Sequence, residues 1–548
     1  MSSNILFVIE IYLVLLQVIS FSLGDETDPL LVTISSGKLR GKILNDKNGN
    51  PFYAFQKIPY GKKPIGDLRF KPLQKPEQWN DTLDATQIAP DCLQDVKGFS
   101  TEDCIYLNVF THRKEELNPV MVYFYGGALT SGSSNPDTTL GPEFLLTKDI
   151  VLVTLNYRLG ILGFLNYEYP DDPSISNEIT SNNGFKDQVF ALQWIQENIE
   201  HFGGDKNSVT VFGNSAGAVS VHALLLSPLT ENLFHRAIVQ SGTALTRGLS
   251  MNNSAVYIGE ALGLDTKNGT KLMQGLRNLT EQEILDVQEK IDVYRLTINK
   301  ITAAGLVIEK PGPNSFMSEN PWTLIKTGRY HRRPVIFGLL DAEGLIYYVY
   351  KYLKNTTRYF DIDTFVPYYY KKRSFAALEI DQDFFPTQNY SDIETWIEVW
   401  GYSSFIFDII RCVEKQIKWS NVYFYKFSLD TDLNWSKIRS PDALGLKGAC
   451  HGDELGYLFK KSTTPKIEPG SANDIAIERL VTLWTNFAIF GMPIITNDSL
   501  LDYQQWLPIR HDAFNVLNIG NNLTQGIYDP KKVDYWRNLY DTFSTKTL

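Results

Sequence analysis

Residues 209–226 decide the fold: Val-Thr-Val-Phe-Gly-Asn-Ser-Ala-Gly-Ala-Val-Ser-Val-His-Ala-Leu-Leu-Leu. The β-branched and aromatic run at 209–212 predicts a buried strand, and the apolar stretch at 218–226 predicts a helix. Between them stands Gly-x-Ser-x-Gly, centred on Ser215. The pentapeptide alone is a weak signal, but a strand before it and a helix after it are the context of a nucleophile elbow. We therefore predict that the turn lifts Ser215 clear of a sheet and that its hydroxyl is an activated nucleophile.

Short apolar runs alternate with helical patterns on both sides of this turn. Besides 209–212, the predicted strands lie at 108–110, 120–124, 150–155, 237–240 and 335–338. Near-continuous apolar strands separated by helices are buried on both faces, which is typical of a mostly parallel α/β sheet. Residues 252–324 have a helical pattern, and we expect them to form an insertion that decorates the sheet. No repeat, low-complexity tract or linker divides the chain, so we predict a single domain.

A serine nucleophile needs a base, and the base needs an acid that fixes its tautomer and stabilises its positive charge. In a parallel sheet with this elbow, they follow the nucleophile in the chain order serine, acid, histidine. The strand at 335–338 is followed by Asp341 and Glu343. We prefer Glu343, which directly precedes a glycine and so suits a tight turn, and keep Asp341 as the reserve. Of the seven histidines, two lie beyond Glu343: His511 stands in a polar, surface-like segment, whereas His451 lies in a glycine-flanked loop and is the predicted base.

An oxyanion hole is also required, because negative charge develops on the carbonyl oxygen of an acyl substrate during attack. Preorganised backbone N–H groups are the usual donors, and one of them belongs to the residue after the nucleophile, here Ala216. The others come from a glycine-rich turn after an early strand. The segment 122–129, Val-Tyr-Phe-Tyr-Gly-Gly-Ala-Leu, has that form and lies upstream of the elbow.

The composition and the N-terminal sequence indicate which partners and which cellular compartment to expect. The chain has 548 residues and a net charge of −10, which argues against binding to a nucleic-acid backbone, since that needs clustered Lys and Arg. An apolar stretch at 5–21 predicts a secretory signal peptide at 1–24, cleaved near Gly24, and a mature domain at 25–548. Because Glu10 interrupts the stretch and its length approaches that of a spanning helix, an uncleaved membrane anchor is the alternative.

Sequons and cysteines support an oxidising, secretory environment. The candidate glycosylation sites are Asn80, Asn252, Asn268, Asn278, Asn355, Asn389, Asn434, Asn497 and Asn522. Cys92 and Cys104 enclose a short polar loop, a spacing that suggests a disulfide. We expect Cys412 and Cys450 to be unpaired. No Cys/His cluster indicates zinc, so no metal is predicted.

Several longer segments, taken in order along the chain, form a family pattern. They are residues 55–61 (Phe-Gln-Lys-Ile-Pro-Tyr-Gly), 68–70 (Leu-Arg-Phe), 102–109 (Glu-Asp-Cys-Ile-Tyr-Leu-Asn-Val), 156–164 (Asn-Tyr-Arg-Leu-Gly-Ile-Leu-Gly-Phe), 183–188 (Asn-Gly-Phe-Lys-Asp-Gln), 202–205 (Phe-Gly-Gly-Asp) and 240–242 (Gln-Ser-Gly). With the elbow, they resemble the type-B carboxylesterase/cholinesterase family of α/β-hydrolases, and the sequon-rich chain looks most like its secreted insect members. The resemblance implies an α/β-hydrolase fold, with a mostly parallel sheet flanked by helices and helical insertions.

The resemblance also implies a role for each matching residue. The matches are the nucleophile Ser215, the acid Glu343, the base His451, the oxyanion donors Gly127, Ala128 and Ala216, and the disulfide pair Cys92 and Cys104. A serine near the triad matches Ser241. The chain departs from most members at Asn214, where they have Glu before the nucleophile. A carboxylate there would favour the imidazolium form of the base, so neutral Asn214 is expected to extend activity to lower pH.

The activity implied is hydrolysis of small to medium carboxyl esters through an acyl-enzyme, by a generalist, detoxifying or hormone- or pheromone-directed enzyme without cofactor or metal. The expected partner is a small-molecule ester, with no nucleic acid and no stable membrane span after signal cleavage. One alternative is a specialised juvenile-hormone-type esterase. Another is a non-catalytic adhesion or binding protein on the same fold. The loop from Cys92 to Cys104 is short and has no Trp for the family's choline-binding site, so a cholinesterase is not expected.

Overall fold

The computed structural model describes residues 28–95, 99–112, 116–167, 180–246, 253–294, 304–355, 357, 360–366, 370–495, 497–510 and 513–544. The predicted signal peptide at 1–24, the sequon at Asn252 and the rejected His511 lie outside these ranges. Within them, no helix combines the length and the apolar character that crossing a bilayer requires.

A central sheet of eleven strands positions the functional residues. The described strands are β1 Leu31–Ile34, β2 Gly37–Arg40, β3 Lys42–Asn45, β4 Pro51–Pro59, β5 Leu83–Asp84, β6 Asp91–Cys92, β7 Ser100–Thr101, β8 Tyr106–Thr111, β9 Asn118–Phe124, β10 Val151–Leu155, β11 Gly204–Asn214, β12 Arg236–Gln240, β13 Val335–Leu340, β14 Val422–Phe427, β15 Asn515–Ile519 and β16 Leu523–Ile527. The order across the sheet is β16-β15-β14-β13-β12-β11-β9-β10-β8-β4-β3. All neighbours from β15 to β10 pair in parallel, and only the outer strands are antiparallel. The predicted mostly parallel sheet is therefore confirmed.

The central strands are buried along their length, which is why their sequences show little alternation. Every residue of β10 and of β13 is buried, as in a sheet covered on both faces. The six predicted strands correspond to β8 through β13. The elbow strand β11 is longer than predicted because it begins at Gly204 and continues through a register shift between Asp205 and Val209. Strand β14 extends the sheet beyond β13 and was not among the predicted strands.

Helices pack around the sheet and form the predicted insertion. The described α-helices are α1 Gly160–Phe164, α2 Asn183–Asn198, α3 Ala216–Leu226, α4 Ser254–Ala261, α5 Gly269–Arg277, α6 Glu281–Tyr294, α7 Pro321–Thr327, α8 Leu345–Lys354, α9 Arg373–Phe384, α10 Ile393–Gly401, α11 Phe407–Gln416, α12 Ala472–Phe490 and α13 Asp534–Phe543. Buried side chains of α4, α5 and α6 pack with Ile161 and Leu162 in a cluster separate from the main core. The helical prediction for 252–324 is wrong over 304–320, where Pro311 and Pro313 flank a glycine and no helix forms.

The cysteines are arranged as predicted. Cys92 and Cys104 form a disulfide, whereas Cys412 and Cys450 are buried and unpaired. Inside the disulfide loop, the Gln94 side chain donates to the carbonyl oxygen of Gly132 at 2.7 Å and accepts from its N–H at 2.8 Å. The loop is thereby attached to the segment that follows the glycine-rich turn.

Seven candidate glycosylation sites are exposed on the described surface: Asn80, Asn268, Asn278, Asn355, Asn389, Asn497 and Asn522. The structure contradicts the prediction of Asn434, which is 0% exposed. Its Nδ2 donates to the carbonyl oxygen of Leu429 at 3.0 Å and to Oδ2 of Asp453 at 2.9 Å. A sequon does not encode burial, and a side-chain amide with these partners leaves no room for carbohydrate.

Candidate active site

The predicted elbow is a strained turn between β11 and α3. Ser215 has φ 59° and ψ −124°, a left-handed conformation that costs energy for a residue with a side chain. Close approach of β9 explains the flanking glycines. A Cβ on Gly217 would lie 1.9 Å from the carbonyl oxygen of Phe124, and one on Gly213 would lie 2.6 Å from the same atom. The turn therefore requires both glycines and leaves Ser215 partly exposed at the end of the strand.

The acid and the base meet at the ends of neighbouring segments. His451 Nδ1 lies 2.6 Å from Oε2 of Glu343. The other carboxylate oxygen of Glu343 accepts hydrogen bonds from Ser241 Oγ at 2.6 Å and from the Leu340 N–H at 2.9 Å. Both oxygens are thus occupied, which fixes the carboxylate. A carboxylate on Nδ1 leaves Nε2 of the imidazole as the atom that exchanges a proton with a substrate or a serine.

Asp341, the reserve acid, has a different contact. Its Oδ1 accepts the N–H of Ala449 at 2.8 Å, and burial raises the pKa of its carboxyl. Ala342 is paired with Cys450 by a parallel β-bridge. The segment after β13 is thereby joined to the loop that presents His451. Glu343 contacts the histidine, and Asp341 helps to hold the loop.

Ser241 connects the elbow with the acid. It follows β12, has φ 58°, and its Oγ contacts Glu343 as described. The N–H of Ser215 donates to the carbonyl oxygen of Gln240 at 2.8 Å. A Cβ on Gly242 would lie 2.6 Å from the carbonyl oxygen of Ser215. The segments that follow β11, β12 and β13 therefore converge at the carboxyl edge of the sheet, where α/β proteins place their ligands.

The glycine-rich turn after β9 lies directly against the serine. A Cβ on Gly126 would be 3.0 Å from the Cβ of Ser215. Gly127 and Ala128 have φ of 122° and 57°, so the backbone there leaves the usual regions. Among the described residues, none accepts a hydrogen bond from the N–H groups of Gly127, Ala128 or Ala216. These donors are available for an oxyanion.

A buried polar cluster that the sequence did not reveal lies beside the elbow. Asn214 Nδ2 and Gln240 Nε2 each donate to Oε1 of Glu454 at 3.0 Å. Burial, reinforced by the negative charge of Glu343, raises the pKa of Glu454 to about 8. Glu454 stands three residues after His451, but nothing in that spacing indicates a buried carboxyl. Asn214 is thus bound to a carboxyl whose neutral form is favoured by burial.

Elsewhere in the described residues, no group of His, Cys, Asp and Glu side chains is arranged to hold a metal ion. A small pocket beside the disulfide is lined by Arg69 and Glu102, among other residues. These two side chains form an ion pair, and Arg69 also donates to carbonyl oxygens at the end of α5. The charges of Arg69 and Glu102 are therefore satisfied by partners within the protein.

Comparison with known proteins agrees with this geometry. Residues 28–536 match the model of the Carboxylesterase family. The chain belongs to this family. Juvenile hormone esterase of Tribolium castaneum is 30% identical to this carboxylesterase over 545 residues, with 90% of each chain covered. Venom carboxylesterase-6 of Apis mellifera is 29% identical over 518 residues, covering 89% of this chain and 90% of the relative.

A solved structure shares the fold. The crystal structure of juvenile hormone esterase from Manduca sexta, with OTFP covalently attached, superposes with a TM-score of 0.81 at 27% identity. The match covers 93% of this carboxylesterase and 99% of that chain. The predicted α/β-hydrolase fold, the family and the enzyme class are therefore confirmed, and the protein is a carboxylic ester hydrolase.

Proposed function

We propose that this carboxylesterase hydrolyses small to medium carboxyl esters through an acyl-enzyme on Ser215, with His451 as base and Glu343 as acid. The observation that supports it most is the 2.6 Å contact of Glu343 with His451, in which the carboxylate is held by two further donors. The strained elbow at Ser215 and the unoccupied N–H donors beside it complete the arrangement.

The proposed reaction has two stages, acylation of Ser215 and hydrolysis of the acyl-enzyme. His451 Nε2 removes the proton of Ser215 as its Oγ attacks the ester carbonyl carbon, and the N–H groups of Gly127, Ala128 and Ala216 stabilise the oxyanion. The imidazolium then gives its proton to the departing alcohol as the C–O bond breaks. Water, deprotonated by the same imidazole, attacks the acyl-enzyme, and the acid product leaves Ser215 reprotonated. Turnover falls at low pH, because a protonated imidazole cannot act as base.

The preferred ester within this class can be identified by comparing turnover of different esters. Generalist and hormone-directed esterases differ in the acyl and alcohol groups that they accept. The chain resembles both a juvenile hormone esterase and a venom carboxylesterase. A panel of esters that varies acyl length and alcohol length separately distinguishes them. A broad profile supports a generalist or detoxifying enzyme. A single preferred long-chain methyl ester would support a specialised juvenile-hormone-type esterase.

We also propose that the enzyme is secreted after removal of residues 1–24. The disulfide, the seven exposed sequons and the similarity to a venom carboxylesterase support secretion. An uncleaved anchor is the alternative. The N-terminal sequence of protein collected from the medium of expressing cells separates the two, since secretion predicts a new terminus near Gly24.

The catalytic proposal is tested by covalent labelling. An organophosphate reacts only with an activated serine, so the wild-type protein is expected to gain one phosphoryl adduct on Ser215, located by peptide mass spectrometry. Ser215→Ala should gain none and should lose at least about a thousandfold in turnover of a short-chain aryl ester. Ser462→Ala, which changes an exposed serine, is the matched control and should behave as wild type. An unlabelled wild-type protein would support the non-catalytic binding alternative.

A further inference from the structure

The helical segment that packs beside Glu343 contains a π-helical turn. Helices α10 and α11 are joined without a break through Tyr402–Ile406, which has the wider hydrogen-bond spacing of a π-helix. Ser403 explains the local widening, because its Oγ donates to the carbonyl oxygen of Val399 at 2.7 Å and competes with the backbone for that acceptor. Such turns add one residue to a helix and frequently occur at functional sites. This turn directs Phe405 toward the candidate active site.

Phe405 covers one face of the imidazole of His451. The ring centroids are 4.2 Å apart and the planes are inclined by 27°, so the rings are stacked. The ring of Tyr347 also stacks with Phe405 at 6.3 Å, and the Tyr347 hydroxyl donates to Ser404 Oγ at 3.0 Å. Phe405 is only 6% exposed. It is therefore buried in contact with both Tyr347 and His451.

The same helix is fixed to the acid. A Cβ on Gly344 would lie 2.1 Å from the carbonyl oxygen of Ile397, so the residue after Glu343 touches the backbone of α10 directly. A Cβ on Gly401 would lie 3.7 Å from the Cβ of Glu343. One packed unit therefore presents both Glu343, at the edge of the imidazole, and Phe405, on its face.

These two contacts restrain different motions. The hydrogen bond that Glu343 accepts from His451 fixes the position of Nδ1 but allows the ring to tilt about that atom, whereas a stacked ring fixes the plane. We propose that Phe405 is a positioning residue that keeps the imidazole of His451 in its reactive plane and stabilises the imidazolium formed during catalysis. The proposal rests on the proposed role of His451. A cation over the face of a phenyl ring is attracted by the ring quadrupole, and the transition state for acylation carries that cation.

The charged groups near His451 are the same in wild-type protein and in variants of Phe405. Glu343 contacts Nδ1, and Asp453 and Glu454 follow on the same segment. Asp341 binds the N–H of Ala449, and Lys437 Nζ donates to the carbonyl oxygen of Gly448 at 3.3 Å. Because substitutions at Phe405 alter none of these groups, a shift in the pH profile reports on the face of the imidazole.

The test compares two phenylalanines on one helix. Phe405→Leu removes the ring from His451 but keeps an apolar side chain. Phe407→Leu is the matched control, because Phe407 is similarly buried, at 7% exposure, but its ring contacts Tyr540 and Arg411 instead of His451. Phe405→Tyr retains the aromatic face. Phe405→Met is the second variant without a ring, used if the leucine variant does not fold.

The expected readouts separate positioning from stability. Phe405→Leu should lower kcat and the organophosphate reaction rate roughly threefold to tenfold with KM unchanged, and it should move the acidic limb of the pH–rate profile down by about half a pH unit. Phe405→Tyr should retain the wild-type limb, and Phe407→Leu should change thermal stability without moving the limb. The inference is overturned if Phe405→Leu leaves the limb in place or if Phe407→Leu moves it equally. Failure of the wild type to react with the organophosphate would instead refute the proposed function.

Discussion

Asn214 is a neutral residue that directly precedes the proposed nucleophile Ser215. Its amide donates to Oε1 of Glu454 at 3.0 Å, alongside the amide of Gln240. Burial, and after it the negative charge of Glu343, raises the pKa of Glu454 to about 8, so its neutral form is increasingly favoured as the pH falls below that value. Burial therefore limits the negative charge that the pair formed by Asn214 and Glu454 adds near the imidazole of His451.

We predict that Asn214→Glu moves the acidic limb of the pH–rate profile to higher pH. The new carboxylate beside the elbow would favour the imidazolium form of His451, so the base would lose activity earlier as the pH falls. The expected shift is about half to one pH unit. The measurement is kcat/KM for an aryl ester between pH 5 and 8.

Asn214→Gln is the control for this substitution. Gln adds the same methylene group as Glu without a charge, so it reproduces any steric effect on the elbow. The acidic limb should stay at its wild-type position in this variant. A limb that moves equally in both variants, or in neither, contradicts the electrostatic explanation.

At the residue level, chain order predicts three candidate catalytic residues from the sequence, and their roles stay predictions. Ser215, Glu343 and His451 follow the order serine, acid, histidine, and the structure brings Glu343 to His451. Glu454 and Phe405 were not predicted. The contact of Asn214 with Glu454 joins residues 240 positions apart, and the stacking of Phe405 depends on a π-helical turn. Sequence periodicity predicts neither contacts between distant residues nor the position of a π-helical turn.

At the scale of elements, the elbow depends on how closely β9 approaches the start of α3. We predict that Gly217→Ala disrupts this contact, because the added Cβ would lie 1.9 Å from the carbonyl oxygen of Phe124. Backbone cannot yield as a flexible side chain would, so the turn that presents Ser215 must shift. The free energy of unfolding should fall by about 1–3 kcal/mol. Turnover should fall by more than about tenfold, since small misplacements of reacting groups are costly.

Gly445→Ala is the matched control for Gly217→Ala. Gly445 lies on the surface, and a Cβ there would meet no atom within 4 Å. Urea unfolding and the rate of organophosphate labelling should be unchanged in this variant. Equal losses in both variants would show that loss of glycine as such, not the approach of β9, is responsible.

The sequence predicted the central elements better than the outer ones. Strands β8 to β13 are apolar runs bounded by turns, and each was identified. Strand β14 has the sequence Val-Tyr-Phe-Tyr-Lys-Phe, in which two tyrosines and a lysine obscure a segment that is buried at five of six positions. The insertion was predicted to be helical throughout, but the prolines before α7 interrupt it.

At the scale of the whole molecule, the sequence contains nine sequons, and only the fold shows which of the described ones are exposed. The sequence treats Asn80 and Asn434 alike, yet Asn80 is exposed and Asn434 is buried. Asn434 Oδ1 accepts from the Thr431 N–H at 3.1 Å and from the Tyr457 hydroxyl at 2.9 Å, in addition to the contacts of its Nδ2. One of those contacts is with Asp453, which also accepts the N–H of Cys450, next to His451.

We predict that folded protein from a secretory host carries glycans at exposed sequons and none at Asn434. Glycopeptide mass spectrometry of the secreted enzyme is the measurement. Asn80→Gln and Asn434→Gln each delete one sequon, but their consequences should differ. Asn80→Gln should lose one glycan and keep wild-type stability. Asn434→Gln should keep the glycan mass and lose about 2–3 kcal/mol of unfolding free energy, because a longer side chain cannot satisfy the same buried partners. A glycan on Asn434 in active, secreted protein would contradict the packing around the histidine loop.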